Sequence, residues 1–237
     1  MTTAGQKVAV ITGASQGIGA GLVDAYRKLG YGVVATSRSI APSSDPDVLT
    51  VQGDISDPAT AERVIAAGIE RFGRIDTLVN NAGVFIAKPF AEYTAADYES
   101  VIGVNLTGFF RITQLAAERM LTQGSGHIVQ ITTSLADHAS SDVTSVLASL
   151  TKGGLQSATK ALAIEFAGRG VRANAVALGI VKTPMHPEAY YETLAAMHPL
   201  GRMGEVDDVT EAVIYLEGAA FVTGEILHVD GGQSAGR

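Results

Sequence analysis

Residues 8–19, with the sequence VAVITGASQGIG, decide the fold of this chain. The apolar, β-branched run 8–11 is typical of a buried strand. Three glycines follow it, and a helical pattern of apolar residues then runs from Leu22 to Leu29. A strand, a glycine-rich turn and a helix in this order are typical of a dinucleotide-phosphate site, because the glycines let the backbone approach the pyrophosphate and the helix N-terminus stabilises its charge. The alternative is a flexible turn between two core elements.

The remaining chain alternates short apolar strands with longer helical patterns, which predicts βαβ units. We predict an α/β fold with one domain over residues 1–237: a Rossmann-type, doubly wound parallel sheet of about seven strands with helices on both faces. Asp57, which precedes a proline, and Thr94 are typical helix N-caps, and the helical region after Thr94 is predicted to continue to Met120. One irregular insert, at about 183–203, is rich in Pro, Met, His and Tyr.

The composition limits the classes of partner. The net charge is −7 at pH 7 and the basic residues are scattered, so neither nucleic acid nor anionic lipid is an expected partner. The absence of cysteine excludes disulfides and thiolate metal sites, and we predict no metal site. No apolar run is long enough to span a membrane and the polar start lacks the pattern of a signal peptide, so we expect a cytoplasmic protein.

The end of the predicted second strand indicates which dinucleotide is bound. An acidic residue about twenty positions after the glycines selects NAD by holding the ribose hydroxyls, whereas this chain has Thr36-Ser37-Arg38-Ser39 there. A guanidinium offers paired, charged donors to a 2′-phosphate, and the hydroxyls of Ser15, Ser37 and Ser39 add further donors. The sequence therefore predicts NADP(H) as the cofactor. The alternative is an arginine that only solvates the strand end.

The glycine spacing Thr-Gly-x-x-x-Gly-x-Gly resembles that of the short-chain dehydrogenase/reductase family. Motifs similar to those of the family cover nearly the whole chain, including Asp54-Ile55, Asn80-Asn81-Ala82-Gly83 and Val229-Asp230-Gly231-Gly232. The resemblance implies a homotetramer or dimer built through the fourth and fifth helices and the last strand. It implies that the dinucleotide is held by Gly13, Ser15, Gln16, Gly17, Ile18, Gly19, Ser37, Arg38, Ser39, Asp54, Ile55, Asn81, Ala82, Gly83, Lys152, Ile180 and Thr183.

The catalytic helix departs from the family pattern. Members reduce carbonyls or oxidise alcohols with a serine, a tyrosine and a lysine, and the last two are spaced Tyr-x-x-x-Lys so that they share one helix face. A nearby cation lowers the pKa of such a phenol from about 10. Lys152 fits the family lysine, but the residue four positions earlier is Ala148. No tyrosine occurs between Tyr98 and Tyr190, so a shift of register does not restore it.

Other residues are candidates for the chemistry. Asn105 matches the family's active-site asparagine, although an asparagine in an apolar helix could equally be a satisfied core residue. Ser134 is the predicted counterpart of the family serine, and Thr133 is the runner-up. His138 is the predicted replacement for the phenol, because the pKa of an imidazole lies near neutral pH. The alternatives left open are Asp137, Ser145, Ser149, His186, Tyr190, Tyr191 and a water held by Ser134, Asn105 and Lys152.

These features predict an NADP(H)-dependent oxidoreductase that interconverts a small apolar ketone and its alcohol with a proton donor other than tyrosine. One alternative is a catalytically silent NADP-binding protein that senses the cofactor or assists assembly. Another is an imine reductase in the same cleft, because the nitrogen of an imine can arrive already protonated. The fold alone does not distinguish these functions.

Overall fold

The computed structural model describes residues 5–236, and one parallel sheet of seven strands forms its centre. In chain order the strands are Val8–Thr12 (β1), Gly32–Ser37 (β2), Val48–Gln52 (β3), Thr77–Asn80 (β4), Gly126–Thr133 (β5), Val171–Leu178 (β6) and Ile226–Val229 (β7). Their order across the sheet is β3-β2-β1-β4-β5-β6-β7, and every neighbouring pair is parallel. The predicted fold class is confirmed.

Strand β1 occupies the position on which the site depends. All five of its residues are buried, as expected for the apolar run at its start. It pairs with β2 on one side and with β4 on the other, so the strand order reverses beside it. Connections that leave the carboxyl ends of β1 and β4 cross to opposite faces of the sheet, and such a reversal opens a crevice where ligands bind.

Helices cover both faces of the sheet. They are Gly17–Lys28 (α1), Pro58–Phe72 (α2), Ala95–Ile102 (α3), Phe109–Gln123 (α4), Val146–Phe166 (α5), Tyr191–Ala195 (α6) and Val206–Gly218 (α7). The buried side chains of α2, α4 and α5 pack against one face, and those of α1 and α7 pack against the other. Among residues 5–236, no helix combines the length and the apolar character needed to cross a membrane.

Two of the predicted helix caps are confirmed by their hydrogen bonds. The Asp57 side chain accepts from the backbone N–H of Ala59 at 3.0 Å, in front of a proline that needs no partner for its own nitrogen. The Thr94 hydroxyl accepts from Asp97 N–H at 3.1 Å, and the Asp97 carboxylate accepts from Thr94 N–H at 2.9 Å. This reciprocal capping box fixes the start of α3.

The helical region predicted from Thr94 to Met120 is present, and it contains a π-helical turn at Gly103–Gly108 between α3 and α4. The turn lies against the segment after β3, where a Cβ atom on Gly108 would lie 2.8 Å from the carbonyl oxygen of Ile55. Insertion of an extra residue into a helical turn is common at functional sites. Here the turn carries Asn105, one of the predicted site residues.

The insert at about 183–203 lies between β6 and α7 and contains the short helix α6. His198, which is buried, fastens it to the sheet: its Nε2 accepts a hydrogen bond from Ile180 N–H at 2.9 Å, and its Nδ1 lies 3.0 Å from the carbonyl oxygen of Leu194. Because Nε2 is the acceptor, the proton of the neutral ring resides on Nδ1, which donates to Leu194. A single imidazole therefore joins α6 to the backbone that follows β6.

A polar cluster lies at the opposite end of the sheet, beneath α1 and α7. The Glu217 carboxylate accepts hydrogen bonds from Tyr26 at 3.1 Å, Tyr31 at 3.0 Å and Thr77 at 3.0 Å, and it lies 2.9 Å from Nδ1 of His127. Burial would raise the pKa of Glu217, but the hydrogen bonds outweigh burial and hold that pKa far below its usual range. The cluster stabilises the end of the sheet that is remote from the crevice.

Candidate active site

A cavity of about 980 Å³ occupies the crevice at the carboxyl ends of the strands. Its volume is typical of a site for a small molecule or cofactor. All seventeen residues that the sequence predicts for the cofactor line it: Gly13, Ser15, Gln16, Gly17, Ile18, Gly19, Ser37, Arg38, Ser39, Asp54, Ile55, Asn81, Ala82, Gly83, Lys152, Ile180 and Thr183. The fold therefore brings them to one place.

The turn between β1 and α1 requires its glycines. Gly13 and Gly17 have φ values of 66° and 54°, which favour glycine. A Cβ atom on Gly19 would lie 2.2 Å from the carbonyl oxygen of Gly13. The N-cap residue Gln16 makes no side-chain hydrogen bond to the helix, and the first turn carries no acidic residue. The N–H groups at this helix start therefore remain available to an anion such as a pyrophosphate.

Asn81 links the ends of two strands, in agreement with the structural role that the family resemblance implies for its motif. Its Nδ2 donates to the carbonyl oxygens of Thr12 at 2.9 Å and Gly13 at 3.1 Å. The Thr12 hydroxyl in turn accepts from the backbone N–H groups of Asn81 and Ala82, both at 3.0 Å. These bonds join the carboxyl ends of strands β1 and β4. They therefore fix the shape of the crevice at the point where the backbones leaving the two strands diverge.

Arg38 lies at the end of β2 on the wall of the cavity, and its side chain is exposed. Among residues 5–236 it takes part in no ion pair, so the guanidinium is available to a ligand. Hydrogen bonds from Ser56, and to a lesser extent the charge of Arg38, lower the pKa of Asp54. Asp54 is therefore ionised at neutral pH. It follows β3, so it is not the acidic residue at the end of β2 that selects NAD.

Lys152 and Ala148 lie one turn apart on α5, and both line the cavity. Lys152 Nζ donates to the carbonyl oxygen of Ile131 at 2.7 Å, and burial lowers the pKa of Lys152 to about 8. A Cβ atom on Gly83 would lie 3.1 Å from Nζ, so a larger residue there would crowd the ammonium. The cavity wall one turn before Lys152 is thus formed by a methyl group.

Asn105 lies behind the cavity wall. Its Oδ1 accepts from Val84 N–H at 2.8 Å, and its Nδ2 donates to Val84 O at 3.0 Å and to the Thr151 hydroxyl at 3.1 Å. The side chain is buried, and Val104 rather than Asn105 lines the cavity. In this structure the asparagine holds the segment after β4 against α5, as a satisfied core residue does.

The structure separates the two candidate hydroxyls after β5. The predicted residue, Ser134, is buried and does not line the cavity, whereas Thr133, the runner-up, does. Ser134 Oγ instead lies 3.1 Å from Oε1 of Gln233 and 3.2 Å from the carbonyl oxygen of Leu178. Strand β5 ends at Thr133, and Ser134 begins the short 3₁₀ turn Ser134–Ala136, which directs its hydroxyl away from the cavity. Thr133 replaces Ser134 as the hydroxyl at the cavity.

The prediction for His138 is also corrected, because this side chain is exposed and does not line the cavity. The neighbouring Asp137 does not orient it: the carboxylate accepts from Gln156 Nε2 at 2.8 Å and lies 3.1 Å from Nε2 of His228. The loop after β5 therefore turns both residues away from Lys152.

The remaining alternatives divide in the same way. Tyr190 and Tyr191 lie outside the cavity, and the hydroxyls of Ser145 and Ser149 face each other at 3.3 Å. His186 does line the cavity, and burial lowers its pKa. Another cavity residue, which the sequence reasoning missed, is Gln233: it belongs to the turn after β7, and no motif marks it.

Comparisons with known proteins agree with this architecture. The family model described as enoyl-(acyl carrier protein) reductase, a short-chain dehydrogenase/reductase model, matches residues 13–234. This chain belongs to the short-chain dehydrogenase/reductase family. Relatives in the family include the 3-oxoacyl-[acyl-carrier-protein] reductase of Thermotoga maritima, 34% identical over 95% of this chain and 97% of its own length. The L-xylulose reductase of Bos taurus is 34% identical over 94% of this chain and 95% of its own length.

Solved structures of the family superpose closely on this chain. ElxO with NADP bound has a TM-score of 0.90 and 29% identity, covering 98% of this chain and 100% of that protein's chain. The 3-ketoacyl-(acyl-carrier-protein) reductase of Brucella melitensis complexed with NADH has a TM-score of 0.89 and 30% identity, covering 96% and 98% of the two chains. The family relatives are thus oxidoreductases, and the two solved structures carry different nicotinamide cofactors.

Proposed function

We propose that this chain is an NADP(H)-dependent oxidoreductase that interconverts a small apolar ketone and its alcohol without a tyrosine. The observation that carries the proposal is the convergence of the glycine turn, Arg38 and Lys152 on one cavity of about 980 Å³. Apolar side chains contribute to the same cavity beyond Ala148, including Leu135, Met185 and Met197. Oxidoreductase relatives and an NADP-bound neighbour support the same assignment.

The residues present fit NADP(H). The uncapped start of α1 suits the pyrophosphate, and Arg38, with Ser15, Ser37 and Ser39 on the same cavity wall, suits a 2′-phosphate. Ser37 ends β2 and Arg38 and Ser39 follow it, and because none of the three is a carboxylate, they do not repel that phosphate. When bound, the cofactor supplies or accepts a hydride.

Lys152 and a water take over the proton transfer in this proposal. An ammonium has three donors, and Lys152 Nζ uses one on the Ile131 carbonyl. The small side chain of Ala148 leaves room for a water between Nζ and the substrate oxygen. In the reducing direction that oxygen takes a proton from the water, which takes one from Nζ. The pKa of about 8 for Lys152 suits proton donation near neutral pH, and solvent returns the proton. Thr133 lines the same cavity, with its hydroxyl 3.4 Å from the carbonyl oxygen of Leu178.

The test is NADPH oxidation against a panel of ketones, aldehydes and cyclic imines, with NADPH binding measured separately. Reduction of ketones by the wild-type protein, abolished in Lys152→Met, is the expected result. Turnover of imines alone would favour the imine reductase, which the missing phenol makes chemically reasonable. Tight NADPH binding with no turnover of any compound would leave the silent NADP-binding protein as the function.

We also propose that the chain self-associates as a tetramer or dimer and resides in the cytoplasm. Three apolar side chains on α4 and α5, Phe110, Leu150 and Ile164, are exposed by 63%, 58% and 84%. Side chains of this size seldom stand free on a monomer in such numbers along two neighbouring helices. Light scattering of the purified protein measures the oligomeric state directly.

A further inference from the structure

Gln233 reaches the cavity from a rigid turn. The Asp230 carboxylate accepts from the N–H groups of Gly232 at 2.9 Å and Ser234 at 2.8 Å, while Gln233 N–H donates to the Asp230 carbonyl at 3.2 Å. Both Gly231 and Gly232 have positive φ values, 61° and 89°, that favour glycine. These bonds fix the backbone on both sides of Gln233, so its side chain starts from a defined position.

The orientation of the Gln233 amide follows from the protons available beside it. Thr133 Oγ1 accepts from Leu135 N–H at 3.3 Å and lies 3.4 Å from the Leu178 carbonyl, to which it can donate its only proton. Ser134 Oγ lies 3.2 Å from the same carbonyl oxygen and 3.1 Å from Oε1 of Gln233. With Thr133 donating to Leu178, the Ser134 proton is directed to Oε1, the nearer of its two acceptors. This allocation gives each hydroxyl one acceptor and fixes Oε1 toward Ser134.

The consequence is a pair of unused donors at the cavity. Gln233 Nε2 has no protein acceptor within hydrogen-bond distance among residues 5–236, and the residue itself lines the cavity together with Thr133, Leu135 and Ala148. A ligand that displaces water from this NH₂ group must itself offer an acceptor, because an unmade hydrogen bond in a site closed by the ligand costs free energy. A ligand that carries an acceptor oxygen in this part of the cavity would satisfy it.

We propose that Gln233 is a substrate-binding residue whose Nε2 donates a hydrogen bond to the reacting carbonyl oxygen, and that Ser134 is the positioning residue that turns the amide toward it. This inference rests on the proposed function. Negative charge develops on that oxygen as the hydride arrives, and a preorganised donor stabilises it without reorientation. Gln233 thus supplies the hydrogen bond, though not the proton, that a phenol at position 148 would otherwise provide.

The experiment compares kcat and KM of Gln233→Leu, Gln233→Glu and Ser134→Ala with those of the wild type, using NADPH with cyclohexanone and with ethyl acetoacetate. We expect Gln233→Leu to lower kcat/KM about 100-fold for both ketones, chiefly through kcat, as loss of one oxyanion donor does. The Kd for NADPH, measured by fluorescence titration, stays unchanged. Glu70→Leu, at an exposed position of α2, is the control and retains full activity.

Two further readouts separate hydrogen bonding from a general structural effect. In Gln233→Glu the lost activity returns as the pH falls, because only the protonated carboxylic acid can donate. Ser134→Ala lowers kcat by less than Gln233→Leu, and it adds nothing in the double variant, because it acts only through the amide.

Full activity of Gln233→Leu with both ketones would overturn the inference and leave the proposed function intact. A loss confined to ethyl acetoacetate would also overturn it, because the donor would then serve the ester and not the reacting carbonyl. Absence of turnover by the wild type with NADPH bound would overturn the proposed function, and this inference with it.

Discussion

Arg38→Asp tests the cofactor assignment most directly. The substitution replaces an exposed guanidinium on the wall of the cavity, and Arg38 has no ion-pair partner among residues 5–236 whose loss would confuse the result. It removes paired donors from the 2′-phosphate and places a carboxylate where NAD-binding members of this fold hold the ribose hydroxyls. We therefore expect NADPH affinity to fall and NADH affinity to rise.

The magnitude follows from the exposure of the site. Two charge-assisted hydrogen bonds to an exposed phosphate are together worth about 2–3 kcal/mol after solvent screening. The introduced carboxylate adds repulsion of about 1 kcal/mol at a separation of about 4 Å in water. Since each 1.4 kcal/mol is a factor of ten, the Kd for NADPH should rise about 100- to 1,000-fold. The effect should shrink as the salt concentration increases, because the charges are exposed.

The assay is fluorescence titration of NADPH and NADH against the wild type and Arg38→Asp, at low salt and at high salt. Arg119→Asp is the matched control, because it makes the same change of charge at an exposed position on α4. An unchanged ratio of the two Kd values in Arg38→Asp would refute the assignment of Arg38 to the 2′-phosphate. An equal change of the two Kd values in Arg119→Asp would show that the effect comes from the net charge of the protein and not from a contact of Arg38.

Three further predictions concern the proton donor and the sheet. Ala148→Tyr should raise the rate of ketone reduction at least about tenfold, because Lys152 lies one turn away and would lower the pKa of the new phenol. An unchanged kcat with intact NADPH binding would mean that the substrate pocket differs from that of the family. Reduction should weaken as the pH rises through about 8, where the Lys152 ammonium is lost, and Lys152→Arg should move that limb to higher pH if the charge alone matters. Glu217→Ala should lower the free energy of unfolding by roughly 3–5 kcal/mol in urea titrations at pH 7, because it strands buried donors. In the wild type, the stabilisation by Glu217 should be lost as the pH falls from about 4.5 toward about 2, because the pKa of Glu217 is lower in the folded than in the unfolded state. A free energy of unfolding that does not change over this pH range would contradict the role of the cluster.

The cofactor half of the site could be predicted from sequence because its signals are local. Gly13, Gly17 and Gly19 act within one turn, and the capping residues Asp57 and Thr94 act within three positions. Short-range chemistry of this kind depends little on the rest of the fold, so the residue types alone indicate it.

The catalytic half could not be predicted in the same way. Choosing between Ser134 and Thr133 required the exact residue at which β5 ends and the 3₁₀ turn begins, and such boundaries are not marked in the sequence. The prediction that His138 donates the proton was wrong because the path of its loop depends on the contacts of Asp137 with Gln156 and His228, which are distant in the sequence. Gln233 was missed because its partner, Ser134, is 99 residues away in the chain.

The single imidazole that joins α6 to the backbone after β6 has a consequence for the segment that covers the cavity. Nε2 of His198 accepts a hydrogen bond from Ile180 N–H, and Nδ1 donates to the carbonyl oxygen of Leu194. The position of the segment therefore depends on a residue that does not itself line the cavity. A ligand at the substrate end thus meets a wall whose shape is set from behind, so a substitution at position 198 would change which substrates fit without removing any contact with them.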